Sequence, residues 1–250
     1  MCYRLAFVFL FVFTSISYAI TGYEIADKVY NAEDGNDMQG VMLMKIMKSD
    51  GKIKERDLNY FRKDFDKESR ALIVFRSPAD VKGTSFLTWN HKDADNDQWL
   101  YMPALNRVKR ITVSTKSQSF MGSDFSYEDL SKRSLQKDNF NLLKEEKVNN
   151  EDCYIVEAIA KDTSEAFPKK IISVRKDNFI VIKSDFYNGA GTVAKKFTVT
   201  NIKKVDDIWT VLSCKMENPE TKEYTTLDIS EIKYNSNLSE RMFKVEGLSK

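Results

Sequence analysis

The sequence predicts a single, mainly β domain with a sandwich or barrel architecture. Three observations carry this expectation. From residue 41 onward, apolar residues recur with a period of two in strand-length runs rich in Val, Ile, Phe and Tyr. Asn, Asp and Gly pairs punctuate those runs at short, regular intervals. No long linker, repeat period or low-complexity tract divides the chain, and about 230 residues suit one all-β domain.

The elements follow in order. Arg4 is the only charge before Glu24, Leu5 to Phe13 is an unbroken apolar run, and Ser17-Tyr18-Ala19 places small residues at both ends of a cleavage triplet. This is the pattern of a secretory leader over residues 1–19, leaving a working domain over 20–250. The run is short of the roughly 20 apolar residues that span a bilayer. Cys2 precedes the run and no cysteine closely follows it, so a soluble exported protein is expected rather than a lipid-anchored one. Residues 22–32 read as a helix, with Ile25, Ala26, Val29 and Tyr30 on one stripe and Gly35-Asn36 as the stop.

Strands are expected at 41–48, 53–62, 70–76, 84–90, 98–102 and 107–113, with Ser49-Asp50-Gly51-Lys52 as the first turn. Residues 114–139 break the pattern: they are rich in Ser and Lys, carry Phe120, Phe125 and Tyr127, and suit a short helix at 126–130. They read as a crossing segment or lid. A meander of strands then follows at 140–148, 152–160, 170–176, 179–187, 193–204, 208–217 and 222–234.

The N-terminal strands are apolar on both faces. Met42, Met44 and Ile46 share one face, while Val41, Leu43 and Met47 share the other. A sheet apolar on both sides needs two covers. One is a helix; the second is a bound apolar ligand or further core, and methionine suits either.

Composition excludes several function classes. Without the leader the chain carries 38 basic and 37 acidic residues, a balance that argues against nucleic acid as the main partner. The lone histidine, His91, sits in a polar loop and reads as a surface residue; it cannot build a nucleophile–base pair or the usual zinc site by itself, so no enzyme is expected. Asp93-Ala94-Asp95-Asn96-Asp97 resembles the start of a calcium loop but has Gln98 at the glycine position, so an acidic hairpin turn is preferred and no metal or cofactor is expected. Gly189-Ala190-Gly191-Thr192 is a turn rather than a phosphate loop. Arg107-Val108-Lys109-Arg110 is either a solvated strand face or a small patch for anionic headgroups. Cys153 and Cys214 stand in strand-like segments, and either a disulfide or two buried free thiols fits them.

The segment from Phe75 to Leu130 carries a succession of phrases: Phe75-Arg76-Ser77-Pro78, Lys82-Gly83-Thr84-Ser85-Phe86-Leu87, Asp97-Gln98-Trp99-Leu100-Tyr101-Met102-Pro103-Ala104-Leu105, Arg107-Val108-Lys109-Arg110-Ile111 and Ser119 through Leu130. In order and spacing it resembles the bacterial outer-membrane lipoprotein-sorting proteins, the LolA-like domains. The resemblance implies an incomplete, strongly curved antiparallel β-barrel with a helical lid over an apolar cavity. It also implies a periplasmic carrier of a lipid or lipoprotein acyl chain, in some branches working beside an inner-membrane exporter.

Against that expectation, Met42, Met44, Ile46, Phe86, Trp89, Trp99 and Tyr101 are the candidate cavity walls. The helix at 22–32 and residues 114–133 are the candidate covers. In Phe120-Met121-Gly122-Ser123-Asp124-Phe125, the glycine is either a hinge or a turn pinned by two core aromatics. The expected function is a monomeric periplasmic carrier. The alternative is a binding or sensing module of the same fold that engages a membrane partner.

Overall fold

The computed structural model describes residues 19–66 and 68–248. All but the last residue of the expected leader, Ala19, lies outside the described residues. The chain forms one helix, α1 (Gly22–Tyr30), then strands β1 (Asp37–Met47), β2 (Ile53–Phe65), β3 (Glu68–Ser77), β4 (Ser85–His91), β5 (Asp97–Met102) and β6 (Arg107–Arg110). A single-turn helix α2 (Val113–Lys116) opens the crossing segment. The remaining strands are β7 (Asp138–Val148), β8 (Glu151–Ala160), β9 (Lys169–Arg175), β10 (Val181–Tyr187), β11 (Val193–Val205), β12 (Ile208–Glu217) and β13 (Tyr224–Tyr234).

All thirteen strands belong to one antiparallel sheet in the order β6-β5-β4-β3-β2-β1-β13-β12-β11-β10-β9-β8-β7. Two meanders meet where β1 pairs with β13, with Met44 opposite Leu227 and Ile46 opposite Thr225. The sheet curls into a half-barrel whose edges, β6 and β7, are joined only by residues 111–137. That connection has to travel from one edge to the other, which is why the polar, aromatic-studded stretch behaves as a crossing segment rather than as strands.

Each cover of the N-terminal half comes from the chain itself. On one face Met44, Ile46, Leu58, Ile73, Phe75, Phe86 and Leu100 form the largest core, completed by Phe120 and Phe125 of the crossing segment. Phe120 is fully buried, with its ring centroid 5.1 Å from Phe86 and 5.9 Å from Phe75. On the other face the C-terminal tail folds back: Phe243 and Leu248 pack on Leu72 and Leu87, among Phe65, Trp89 and Trp99. Trp89 donates its indole N–H to the Phe243 carbonyl at 3.1 Å, and Arg70 stacks 3.8 Å above the Trp89 ring. The tail is anchored where Asp37 accepts the amides of Ser236 (2.7 Å) and Leu238 (2.9 Å).

Several expectations need correction. The strand expected through Val113 ends at Arg110, and Val113 starts α2. The short helix expected at 126–130 is a 3-10 turn at Glu128–Leu130. His91 is not a free surface residue: its ring lies between Glu68 (Nδ1 at 2.9 Å) and Asp97 (Nε2 at 3.1 Å). Of the two states open to Cys153 and Cys214, the structure has the free thiols, in one small apolar cluster with Ile155, Ile182 and Val199, and no disulfide joins them. Cys214 is half-buried by surface area, yet the depth of packing around it pushes its thiol up to about 12. Burial also raises Cys153, so both thiols stay protonated and unreactive at neutral pH.

Candidate functional site

The C-terminal half of the sheet keeps an open interior. A cavity of about 890 Å³ lies between β7–β12, α1, the crossing segment and the loop from Lys161 to Phe167. Sites that hold drug-sized ligands run from about 300 to 1,000 Å³. Its wall is built by strand alternation. Lys170, Ile172 and Val174 of β9 line it at every second position. Cross-strand partners share a face, so the lining continues along rows. One lining row runs Val156, Ile172, Ser184, Phe197 and Met216 from β8 to β12, with Leu142 of β7 as its register neighbour outside the lining. In the row above it Phe140, Lys170 and Phe186 line the cavity, while Ala158 and Lys195 share the row without lining it. Exposed residues at one end, Val113, Lys161, Asp162 and Ser164, show that the cavity reaches the surface.

Helix α1 closes the opposite side. Thr21 and Glu24 form a reciprocal capping box, which starts the helix by satisfying two amides at its end. Those hydrogen bonds, backbone first, hold the Glu24 carboxyl below its ordinary pKa. Ile25 is fully buried against Val156 and Val174, and Ala26, Val29 and Tyr30 complete the ceiling. Gly22 lets the helix sit this low: a Cβ there would stand 2.7 Å from backbone atoms of Phe140, Asn141 and Leu142.

The charged residues of the lining are mostly paired. Arg133 binds Asp138 through two bonds of 2.7 Å, reaches Glu165 at 2.8 Å and also pairs with Glu128. Burial by itself would lower its pKa, but the bonds to Asp138 and Glu165 outweigh that and hold the guanidinium above its ordinary value. Lys195 pairs with Asp129, which also accepts the amide (2.6 Å) and hydroxyl (2.7 Å) of Ser126. Lys132 reaches Asp34 at 2.8 Å and Lys137 reaches Asp95 at 2.6 Å. These pairs tie the crossing segment to β7, β11 and the neighbouring loops.

A family model described as "Uncharacterized protein" matches residues 67–250. Among solved structures, a DUF1329 family protein from Desulfovibrio piger is 33% identical, with 91% of this chain and 97% of that chain covered and a TM-score of 0.86. A provisionally named outer membrane lipoprotein-sorting protein domain from Vibrio parahaemolyticus is 34% identical over 92% of this chain and 98% of its own, also at 0.86. The chain belongs to the family of these two relatives, the DUF1329 proteins and outer-membrane lipoprotein-sorting domains. A LolA superfamily protein from Nitrosomonas europaea, at 21% identity, shares the fold with a TM-score of 0.71 over 91% of this chain and 99% of that one. No curated protein matches the chain.

In this LolA-like chain the residues singled out from the sequence fall in three places. Met44, Ile46 and Phe86 lie in the packed core beneath the crossing segment, with Met42 at its margin. Trp89, Trp99 and Tyr101 lie under the C-terminal tail on the other side of the sheet. None of these seven lines the 890 Å³ cavity. Phe125 does line it, while Phe120 is core and Met121 packs at the core's edge. Gly122, at φ +79°, sits in a pinned turn: the Phe120 amide donates to the Phe125 carbonyl at 2.7 Å, Arg56 donates to the Met121 carbonyl at 2.6 Å, and the Asp124 amide donates to Thr225 at 3.0 Å. The lining residues that sequence reasoning missed, Val156, Ile172, Ser184 and Phe197, carry an ordinary strand alternation. Nothing in the sequence marks which half of the barrel the chain fills with its own side chains.

Proposed function

We infer that this protein is a periplasmic carrier that shields a lipid or lipoprotein acyl chain in the cavity of its C-terminal half. The observation that carries the reading is the contrast between the two halves of one curled sheet. The N-terminal half is filled by Phe120 and Phe125, whereas the C-terminal half keeps about 890 Å³ lined by Val156, Ile172, Phe186, Phe197 and Met216. An acyl chain gains about 0.8 kcal/mol for each methylene taken out of water. Such a site works by burial and release and needs no catalytic group. The leader pattern at residues 1–19 supports export, and the sorting role named for the Vibrio relative supports a lipoprotein or lipid as cargo, passed on to or from a membrane partner.

The test is uptake of a fluorescent fatty-acid probe by delipidated protein lacking residues 1–19. Saturable, one-to-one binding is expected. Ser184 is buried on the wall of β10 and its hydroxyl makes no hydrogen bond among the described residues, so Ser184→Trp fills cavity space without breaking a side-chain bond. That variant should lose at least about tenfold in affinity while keeping its fold. Absence of saturable uptake by the unmodified protein contradicts the reading.

A further inference from the structure

Lys170 stands out among the cations that line the cavity. It is the first of three inward residues on β9, above Ile172 and Val174, with Ala158 and Phe186 as its cross-strand neighbours. Its ammonium lies 5.3 Å from the centroid of the Phe186 ring and, among the described residues, makes no ion pair and no hydrogen bond. The other lining cations are engaged or wet. Lys132, Lys137 and Arg133 have carboxylate partners, Lys116 donates to the Asn96 carbonyl at 2.6 Å, and Lys161 is exposed. By surface area Lys170 is only half-buried, because its side chain borders the cavity, yet it is shielded from bulk water. Burial, with Arg133 nearby, lowers its pKa, and Glu128, Asp138 and Asp129 oppose that from beyond contact distance. An isolated cation facing an apolar chamber costs free energy unless an anion joins it.

We propose that the cavity selects amphiphiles with an anionic headgroup, a carboxylate or a phosphate, which the Lys170 ammonium binds while the acyl chain lies along Ile172, Ser184 and Phe197. This proposal rests on the carrier reading and specifies its cargo class. Two features of the geometry place the headgroup at the rim rather than in the depth. Lys170 is on the row nearest the Arg133 and Lys195 ion pairs, and the next row inward is apolar apart from the Ser184 hydroxyl. The acids at the rim, Glu128, Asp129, Asp138 and Glu165, are already held by Arg133 and Lys195, so they leave Lys170 free for a ligand.

The experiment measures binding of three probes with the same sixteen-carbon chain: palmitate, hexadecyl phosphate and hexadecanol. Delipidated protein is compared with Lys170→Met and Lys170→Arg. The unmodified protein should prefer one or both anions over the alcohol by about tenfold or more, the range of a charge-assisted hydrogen bond. Lys170→Met should erase that preference and keep alcohol binding, which also shows that the variant folds. Lys170→Arg should retain the preference. The palmitate and phosphate arms distinguish the two headgroups. Equal binding of all three by the unmodified protein, or a preference that survives Lys170→Met, overturns the proposal and leaves the carrier reading standing. Binding of none of the three overturns both.

Discussion

Lys170 is a residue whose local chemistry opposes the fold. Its neighbours Ala158 and Phe186 are apolar, and burial disfavours its charged form. A lysine with a lowered folded pKa binds fewer protons than the unfolded chain between that lowered value and its ordinary 10.5, so ligand-free stability rises with pH across this window. Arg133 deepens the effect, and Glu128, Asp138 and Asp129 soften it. Lys170→Met should therefore raise the unfolding free energy of the delipidated protein at neutral pH by about 1 kcal/mol, and should remove that part of the pH dependence. Denaturant titrations at several pH values check both; a destabilised variant would show that Lys170 holds the structure together. Sequence could not single this residue out. Lys169 and Lys170 are adjacent, and only the register of β9 decides which of the two faces inward.

At the scale of elements, the two covers of the half-barrel are held very differently. The crossing segment is fixed by Phe120, by the Arg133 and Lys195 ion pairs, and by the bond between Asp124 and Thr225. Helix α1 has nine residues and buries only Gly22, Ile25 and Ala26. Burial of Ile25 and Ala26 is worth about 2–3 kcal/mol, little enough for thermal opening. On the carrier reading, α1 is therefore the element proposed to open as the cap. The close approach at Gly22 gives a direct handle: Gly22→Ala puts a Cβ 2.7 Å from the β7 backbone and should lift the helix. Amide hydrogen exchange across residues 22–30 should accelerate at least about tenfold in that variant, with β9 and β10 unchanged, and bound probe should leave faster. Unchanged exchange would mean that α1 is not the gate. The helix and all thirteen strands were legible from hydrophobic periodicity and turn chemistry. The role of 114–139 as a crossing segment was legible from its broken pattern. The finer assignment of cap and plug was not, because it depends on partners such as Asp138, Asp129 and Thr225 that lie on other strands.

For the whole molecule, one sheet serves two purposes. The meander β1–β6 is apolar on both faces, as its sequence shows, and the chain supplies both covers itself, with Phe120 and Phe125 on one side and Phe243 and Leu248 on the other. That internal covering is why the candidates Trp89, Trp99 and Tyr101 fall outside the cavity: their apolar character matched a second cover, and the tail at 235–248, which carries no strong periodic signal, provides it. The meander β7–β12 receives only α1 and the rim of the crossing segment, so its concave wall is left with space. The central claim is that this space is occupied by an acyl lipid in the cell. Mass spectrometry of lipids extracted from the protein, purified without detergent after export, tests it most directly. The account predicts an acyl lipid with an anionic headgroup at near-equal molar ratio in the unmodified protein, strongly depleted in Ser184→Trp. Protein that emerges free of lipid, or lipid retained equally by Ser184→Trp, would contradict it.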